Sequence, residues 1–204
     1  MMLKNIKKYI KSKVNNYFSK SSEHYFGSEE WKSKFGRYGS KSLISAPAII
    51  GGEKGIYIGE RTTILNNSRL QNFYLGDVSP EIVIGNDCYI CYYFTVLNAS
   101  RVTIGNDVLI ASHVLISSEN HGIDPESEIP YMHQSLISKP VMIGNGCWIG
   151  EKVIILPGVT IGNKCIIGAG SVVTHSIPDY SIAVGNPARV VKKYNFETHI
   201  WEKI

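Results

Sequence analysis

The sequence predicts an all-β fold: a parallel β-helix of hexapeptide repeats with an N-terminal amphipathic helix, one extended loop and a short C-terminal strand and helix. The main observation is that an aliphatic residue recurs at every sixth position between Val141 and Val173, and that glycine follows directly after four of these residues. A period of six matches neither an α-helix, with about 3.6 residues per turn, nor a strand, with about two. The aliphatic positions are Ile143, Ile149, Ile155, Ile161, Ile167 and Val173.

Short strands wound around a triangular prism account for this period, because each repeat then points one aliphatic side chain toward the axis. With three faces to a coil, equivalent residues of successive coils stack at the strand spacing of about 4.8 Å. The glycines are expected to leave the corners free to adopt positive φ, and Asn145 and Asn163 to tolerate the same region. A small or modest side chain follows four residues after each aliphatic residue, at Cys147, Val153, Val159, Cys165 and Ser171.

Residues 1–42 are predicted to form an N-terminal helix and an irregular lead-in to the first coil. Apolar residues recur every three or four positions among lysines, which indicates an amphipathic helix over residues 2–18. This helix is expected either to pack on the domain or a neighbouring subunit, or to make peripheral contact with an anionic membrane surface. Residues 19–42 are polar and rich in glycine and serine. The apolar positions of the helix are Leu3, Ile6, Ile10, Val14 and Phe18.

Residues 43–175 are predicted to form the β-helix domain. Ile104 comes eight positions after Val96, and this interval indicates a two-residue bulge at a corner. Ile84 comes fourteen positions after Leu70, and this interval is interpreted as two six-residue steps with two extra residues. The earlier runs with six-residue spacing are Ile44 and Ile50; Ile58, Ile64 and Leu70; Ile84, Ile90 and Val96; and Ile104, Ile110 and Ile116.

The repeat is suspended between Ile116 and Ile143, so residues 117–142 are predicted to form an extended loop. Prolines and acidic residues in this stretch support that prediction. Long loops on rigid scaffolds are disproportionately functional. His121 comes five residues after Ile116, where the coil still fixes the backbone, and this position suits a catalytic base that faces a mobile lid.

Residues 176–204 are predicted to form the C-terminal strand and helix. Pro178 and Asp179 turn the chain out of the last coil. Ser181–Val184 is predicted to be a short strand, and residues 195–204 a short helix.

The net charge of +4 is carried by the N-terminus, because residues 1–20 contain six lysines and no acidic residue. The remainder has 15 basic residues against 17 acidic ones, which argues against nucleic-acid binding by the main body. No apolar run approaches the roughly 18–20 residues of a membrane span, and no signal-peptide core follows the basic start. A cytoplasmic protein is expected, peripheral to the inner face of the membrane if residues 2–18 bind lipid.

The four cysteines are predicted to be free thiols. Cys88, Cys147 and Cys165 occupy the small interior position of a hexapeptide and are expected to be buried packing residues. Cys88 and Cys91 have the spacing of a zinc-binding pair, but no second pair completes four ligands. No metal is therefore expected.

Five segments of the chain resemble the left-handed β-helix (hexapeptide-repeat) acyltransferases, and most of all the sugar O-acetyltransferases, meaning the galactoside and maltose enzymes and those of polysaccharide biosynthesis. The resemblance implies a left-handed coil, a homotrimer with active sites between subunits, acetyl-CoA as the donor, and a small-molecule or glycan acceptor. The matching segments are IGNDVLIASHVLISSENHG (104–122), IGNGCWIG (143–150), LPGVTIG (156–162), IGAGSVV (167–173) and VGNPARVV (184–191).

His121 matches the catalytic histidine of this family, at the start of the extended loop. A sugar hydroxyl is a poor nucleophile near neutral pH, so its proton must leave as it attacks the thioester carbonyl. An imidazole is suited to accept that proton and to pass it to the CoA thiolate. No acyl-enzyme is required, so the resemblance implies direct attack with His121 as general base.

Three residues are expected to bind the acceptor. Asn98 aligns near a polar residue that binds the acceptor hydroxyl in the family, with a simple turn asparagine as the alternative. Tyr89 and Tyr93 are placed to line the cleft, because sugars stack on aromatic rings; core packing is the equal alternative.

Six residues match the donor site of the family. Trp148 resembles part of the donor groove, with a trimer-interface aromatic as its alternative. Arg189 and Lys192 suit the phosphates of CoA, with solvated surface charges as their alternative. The residues whose backbone or small side chains flank pantetheine by resemblance are Gly150, Ala169 and Thr174.

Three other functions remain as alternatives. The Asn120–His121 pair is similar to that of xenobiotic acetyltransferases, so the acceptor atom would be the nitrogen of an amino sugar or antibiotic. A zinc hydratase resembling the γ-carbonic anhydrases shares the fold but needs two histidines five residues apart, whereas His113 and His121 are eight apart. The third alternative is a non-catalytic β-helix scaffold.

Overall fold

The computed structural model describes residues 27–75 and 78–204 as a stack of triangular coils. One α-helix, α1 (Glu29–Lys32), and two short 3-10 helices, Glu53–Gly55 and Tyr131–His133, accompany the strands. In chain order the strands are β1 (Arg37–Tyr38), β2 (Leu43–Ile44), β3 (Ala48–Gly51), β4 (Ile56–Ile58), β5 (Thr63–Ile64), β6 (Ser68–Asn72), β7 (Glu81–Ile84), β8 (Tyr89–Ile90), β9 (Thr95–Asn98), β10 (Arg101–Ile104), β11 (Leu109–Ile110), β12 (Leu115–Ser117), β13 (Glu119–Asn120), β14 (Ile137–Ser138), β15 (Val141–Ile143), β16 (Trp148–Ile149), β17 (Ile154–Ile155), β18 (Thr160–Ile161), β19 (Ile166–Ile167), β20 (Val172–Val173), β21 (Ser181–Gly185), β22 (Ala188–Asn195) and β23 (Ile200–Lys203).

Three parallel sheets form the faces of the prism, and the chain visits them in a fixed order. Face I contains β1, β4, β7, β10, β15 and β18. Face II contains β2, β5, β8, β11, β16 and β19, and is continued by β21, β22 and β23. Face III contains β3, β6, β9, β12, β17 and β20. Each coil therefore turns at a I–II corner, a II–III corner and a III–I corner.

The aliphatic residues of the repeat fill the axis of the prism, as the six-residue period predicts. On face I, Ile84, Ile104, Ile143 and Ile161 are direct partners in successive strands, and each is at most 1% exposed. Equivalent columns line faces II and III. Burial of these stacked side chains is the main source of stability in a fold whose coils contact only their neighbours.

Three cysteines occupy the interior beside these columns, which confirms their predicted packing role. The thiol of Cys147 donates to the carbonyl oxygen of Gly162 at 3.0 Å, and that of Cys165 to the carbonyl oxygen of Pro178 at 3.0 Å. Cys88 makes the same kind of bond to Gly105 at 3.1 Å. All three are buried free thiols.

The glycines after the aliphatic residues serve close packing, so the predicted positive φ at these glycines is wrong. Positive φ occurs two residues further on, for example at Gly146 (φ 65°) and Lys164 (φ 56°). A Cβ added to Gly144 would lie only 2.7 Å from the carbonyl carbon of Gly162 in the next coil. Glycine is needed because the two backbones touch at this corner.

The asparagines of the repeat likewise do not adopt positive φ but form a ladder along the I–II corner. The N–H of Asn145 donates to the side-chain oxygen of Asn163 at 2.9 Å, and the N–H of Asn163 donates to Asp179 Oδ1 at 2.8 Å. Asn86 and Asn106 continue this pattern toward the first coil. The ladder satisfies a backbone donor that each turn would otherwise expose.

Every departure from six-residue spacing falls at the III–I corner. The two-residue bulge after Val96 is confirmed there, between β9 and β10. The interpretation of Leu70 to Ile84 as two steps is wrong, because Leu70 on face III is followed directly by Ile84 on face I. The intervening residues form one corner loop.

The first coil begins ahead of residue 43, the expected start of the β-helix domain. Strand β1 pairs with β4, so Arg37 and Tyr38 already belong to face I. The lead-in holds α1, and Trp31 packs edge-on against Phe35 at a centroid distance of 4.7 Å. The amphipathic helix predicted over residues 2–18 lies outside the described residues.

The C-terminal residues form a β-hairpin, so the helix predicted over residues 195–204 is wrong. Strands β22 and β23 pair antiparallel and extend face II. Asn195 turns the chain, because its side-chain oxygen accepts from the N–H groups of Glu197 at 2.8 Å and Thr198 at 3.2 Å. Tyr194 and Trp201 then pack across the two strands at a centroid distance of 5.4 Å. The strand predicted at Ser181–Val184 is confirmed as β21.

Within the described residues, none of the helices has the length and hydrophobicity to cross a membrane.

Candidate active site

His121 stands where the extended loop leaves the III–I corner. It follows β13, which pairs antiparallel with β14 and forms a two-stranded ribbon at the base of the loop. The N–H of Lys139 donates to the carbonyl oxygen of Ser118 at 2.8 Å and ties the two arms of the loop together. The imidazole is exposed and has no hydrogen-bond partner among the described residues. The ribbon therefore fixes the backbone of His121, while nothing within the protomer shields its ring from water.

Gln134 organises the loop beyond His121. Its side-chain oxygen accepts from the N–H of Asp124 at 3.1 Å, and its side-chain nitrogen donates to the carbonyl oxygens of Asp124 and Ile129, each at 3.0 Å. Gly122 lies against the same side chain, since a Cβ added there would be 2.8 Å from the Cβ of Gln134. One amide thus fixes the backbone that immediately follows the candidate base. The sequence analysis did not identify Gln134, because no repeat position marks it.

Asn98 is buried at the III–I corner, so its predicted role at the acceptor is not supported. Its side-chain nitrogen donates to Asn72 Oδ1 at 2.8 Å and to the carbonyl oxygen of Glu81 at 3.1 Å. Its side-chain oxygen accepts from the Ser118 hydroxyl at 2.6 Å and from the N–H of Ser100 at 3.1 Å. The side chain is 0% exposed and each of its polar atoms is bonded to protein. The structure thus favours the turn-asparagine alternative.

An outward-facing row of mostly apolar side chains, here called the face II stripe, runs across the coils. Register places Tyr89 opposite Leu109, Leu109 opposite Trp148, and Trp148 opposite Ile166. Ile166 is opposite Ile182 in β21. Paired residues of parallel strands point to the same side of a sheet. Trp148 is 51% exposed and Leu109 39% exposed, so the stripe offers an apolar floor for an extended, flexible ligand such as a pantetheine arm.

Cations continue the stripe at its C-terminal end. Ile182 is opposite Lys192 in β22, and Val184 is opposite Arg189. A register shift beside Ile182 brings these two cations to one side of the hairpin. Lys203 of β23 is in turn opposite Lys192. The order of an apolar floor followed by positive charge fits the pantetheine and phosphate groups of CoA.

The other predicted donor residues fall into two groups. Gly150 and Ala169 meet at the II–III corner, where a Cβ on Gly150 would lie 2.6 Å from the backbone nitrogen of Ala169. Thr174 lies at the III–I corner with its hydroxyl 2.8 Å from His175 Nδ1. His175 and Arg189 line one cleft of about 350 Å³. Gly150 and Ala169 are thus separated from Thr174 by the width of face III, while Arg189 of the hairpin reaches the III–I side through its cleft with His175.

The candidate base and the face II stripe lie on opposite sides of one protomer. His121 leaves from the III–I corner, and in a triangular prism this corner is opposite face II. Among the residues that the structure describes, the strands of the stripe pair within face II, whereas the loop strands β13 and β14 pair only with each other. Within one protomer, His121 and the face II stripe therefore do not share one surface.

The tyrosines expected at the acceptor lie on the side of the stripe. Tyr89 is its first member, and Tyr93 stands at the adjoining II–III corner. The ring of Tyr93 stacks on that of His113 at a centroid distance of 4.6 Å. The sequence alone does not place His113 or Lys203 beside these residues, because only the strand register shows which residues of different coils are neighbours.

In the part of the chain that the structure describes, no three His, Cys, Asp or Glu side chains are grouped to hold a metal ion. Cys91 is partly buried, and burial together with the negative charge of Glu151 raises the pKa of its thiol. Cys88 is turned inward to its carbonyl partner.

Comparison with known families matches residues 140–175 to a family described as "Bacterial transferase hexapeptide (six repeats)". The chain is 40% identical over 172 residues to the WbbJ protein of Escherichia coli (strain K12), which carries the name of a lipopolysaccharide biosynthesis O-acetyl transferase. That match covers 81% of this chain and 86% of WbbJ. A second match, to the galactoside O-acetyltransferase of the same organism, is 42% identical over 115 residues and covers 56% of this chain and 55% of that enzyme.

Solved structures show the same architecture. A hexapeptide-repeat acetyltransferase from Vibrio cholerae, VCA0836, in complex with acetyl-CoA, has a TM-score of 0.58 and 27% identity, and covers 80% of this chain and 74% of its own. AntD, an N-acyltransferase from Bacillus cereus, has a TM-score of 0.69 at 24% identity, with 85% of this chain and 92% of AntD covered, and shows likeness of fold alone. The coil is thus a left-handed β-helix of the hexapeptide-repeat type.

Proposed function

The chain belongs to the bacterial hexapeptide-repeat transferases, and on that basis we propose that it is an acetyl-CoA-dependent O-acetyltransferase that acts on a hydroxyl of a sugar or polysaccharide precursor. The named functions of WbbJ and of the galactoside enzyme support a hydroxyl acceptor. The acetyl-CoA complex of VCA0836 supports the donor. An amino acceptor is the second candidate, to be distinguished by the chemistry of the product.

The observation that carries the proposal is the placement of His121 opposite the face II stripe. The proposed base and donor surface lie on opposite sides of one prism. They can act on the same substrate only if a second copy of the chain brings them together. A homotrimer achieves this, because the III–I corner of each protomer can contact face II of the next and the ring closes after three copies. Large exposed side chains on the loop support such a contact. They include Ile123 (76% exposed), Met132 (70%), Tyr131 (58%) and Ile129 (54%).

The donor is proposed to lie along the face II stripe. Its pantetheine arm follows Trp148 and Ile166, and its phosphates reach Lys192 and Arg189 at the hairpin. This orientation puts the thioester toward the Leu109 end of the stripe. There the acceptor meets the acetyl group beneath the loop of the neighbouring protomer, which would exclude water from the reaction.

His121 is proposed to act as general base. Its ring takes the proton of the acceptor hydroxyl as the oxygen attacks the acetyl carbonyl, and then gives that proton to the sulfur that leaves. Backbone N–H groups and correct positioning supply the rest of the rate enhancement. The fixed ribbon under His121 suits this role, because a general base must be held within hydrogen-bond distance of the proton that it removes.

The test is a screen in which purified full-length protein and acetyl-CoA are incubated with sugars, nucleotide sugars and amino sugars, with release of the CoA thiol as the readout. The product is then treated with mild base, which cleaves an acetyl ester but leaves an acetamide intact. A base-labile acetylated sugar is the expected result. A base-stable product would establish the amino acceptor, and release of CoA without any acetylated sugar across the panel would contradict both.

A further inference from the structure

Tyr93 and His113 form an exposed ring stack at the II–III corner, and we propose that this stack is a platform on which the apolar face of a pyranoside acceptor lies. The ring centroids are 4.6 Å apart and the planes differ by 5°. Tyr93 is 49% exposed and His113 is also exposed, so part of the stacked pair is accessible to a ligand. The inference rests on the proposed function, because it names the surface and the class of sugar for the same reaction.

The backbone at this corner has positive φ, a conformation in which aromatic side chains are unusual. Tyr93 has φ 58° and His113 has φ 62°. Asn67, Lys152 and Gly170 occupy the equivalent position in other coils, also with positive φ. The left-handed conformation is unfavourable by about 1 kcal/mol or more for a residue with a Cβ, and the free-energy penalty is smallest for glycine and asparagine. The chain places aromatic rings at this position in two adjacent coils, whereas Asn67, Lys152 and Gly170 carry no ring there.

The coil fixes the backbone of both ring residues. The N–H of His113 donates to the carbonyl oxygen of Tyr92 at 2.9 Å, and the N–H of Tyr93 donates to the carbonyl oxygen of Asn66 at 3.3 Å. The backbone of each ring residue is thus tied to the coil below it. A ligand that binds to a pre-organised surface loses less binding free energy to the ordering of side chains.

The stack lies at the end of the stripe where the thioester is proposed to be. Tyr89 and Leu109 of the face II stripe precede Tyr93 and His113 by four residues in the same coils. In a cyclic oligomer whose symmetry axis is parallel to the prism axes, equivalent coils of neighbouring protomers lie at the same height. Because the extended loop begins on the coil that contains His113, the partner's His121 would stand level with the stack. The platform, the base and the thioester would then surround one hydroxyl.

The chemistry of the stack selects for a saturated sugar ring. One face of a pyranoside presents C–H bonds, which are weakly positive, and the face of an aromatic ring is negative. The hydroxyls at the edge of the sugar remain free to point toward a base. A ligand without such a face, such as an extended polyol, would lose this contact.

The test measures binding of a defined sugar without any acetyl transfer. Methyl β-galactopyranoside and the open-chain polyol galactitol are titrated into the intact oligomer, and saturation-transfer NMR gives the affinity of each. Tyr93→Asn and His113→Asn remove each ring in turn, and asparagine is suitable because Asn67 already occupies this corner position. Each substitution is expected to weaken pyranoside binding roughly tenfold, whereas galactitol binds weakly to every form. Tyr93→Phe, which keeps the ring face, is expected to bind like the wild type.

Lys152→Asn is the matched control, because Lys152 lies at the same corner one coil beyond His113 with φ 58° but adds no ring to the stack. Wild-type affinity is expected for this variant. Unchanged pyranoside binding in both ring variants would overturn the platform, and so would a Tyr93→Phe variant as weak as Tyr93→Asn. A wild-type protein that binds the pyranoside but transfers no acetyl group to it would instead count against the proposed reaction, so failures of the two proposals are distinguishable.

Discussion

The hydroxyl of Ser118 donates a 2.6 Å hydrogen bond to the side-chain oxygen of Asn98, and both residues are 0% exposed. Ser118 is also the residue whose carbonyl oxygen accepts from the N–H of Lys139, at the base of the extended loop. Its hydroxyl in turn accepts from the N–H of Ala99 at 3.1 Å. The corner that supports His121 is therefore built on a buried polar network. Such a network stabilises the fold only while every member is satisfied.

Replacement of Asn98 by alanine is expected to lower the free energy of unfolding by about 2 kcal/mol, because Asn72 and Ser118 lose their buried partner. Chemical denaturation of the purified variant measures this. If Asn98 bound the acceptor instead, the variant would show normal stability and a raised KM for the sugar, and that pair of results would contradict the structural role.

Replacement of His121 by alanine is expected to reduce acetyl transfer at least about a hundredfold, the scale on which a general base contributes. Affinity for CoA and the oligomeric state should be unchanged, because the ring is exposed and makes no hydrogen bond to a described residue. Steady-state kinetics with an acceptor found in the screen provide the measurement. His133→Ala is the matched control, since His133 lies in the same loop and is also exposed. Similar losses in both variants would count against a specific role for His121.

Replacement of Gln134 by alanine is expected to reduce kcat about tenfold or more, with the KM for acetyl-CoA unchanged, because a small displacement of a reacting group is costly. The backbone after His121 would lose three hydrogen bonds. Ser127→Ala serves as the comparison, since it removes one loop hydrogen bond, from the N–H of Ile129. Wild-type kcat in the Gln134 variant would show that the loop holds its shape without this amide.

Two glycines are expected to respond differently to substitution. Gly144→Ala should destabilise the protein by about 2 kcal/mol, because the new Cβ meets backbone atoms that cannot move aside. Gly170→Asn should cost less than about 1 kcal/mol, because no atom lies within 4 Å of the added Cβ and asparagine accepts positive φ. Thermal unfolding of both variants tests this contrast. Equal losses would contradict a special cost of close approach at Gly144.

The sequence was sufficient to predict the coil wherever the spacing is regular, because a period of six reports which residues reach the axis. It could not distinguish one long corner loop from two steps between Leu70 and Ile84, since periodicity does not count faces. The hairpin after Asn195 has no repeat at all, and its formation depends on tertiary pairing with β21.

The residues of the site were predicted less well, because neighbours across coils are separated by variable numbers of residues. Tyr93 and His113 are twenty residues apart, two more than a regular coil, because the bulge after Asn98 lies between them. Residues such as Trp148 and Lys192 were found through motif similarity, and the register of face II then showed that they share one surface. His121 was identified because it directly follows a regular coil.

The residues that interrupt the six-residue repeat all extend from the III–I corner, whereas hydrogen bonds of the asparagine ladder connect the coils along the I–II corner. Loops of very different length can therefore be grafted into, or evolve at, this one edge without any change to the stacked core. Exchange of this single segment is therefore expected to alter the proposed acceptor while the stacked core, and with it the melting temperature, is retained.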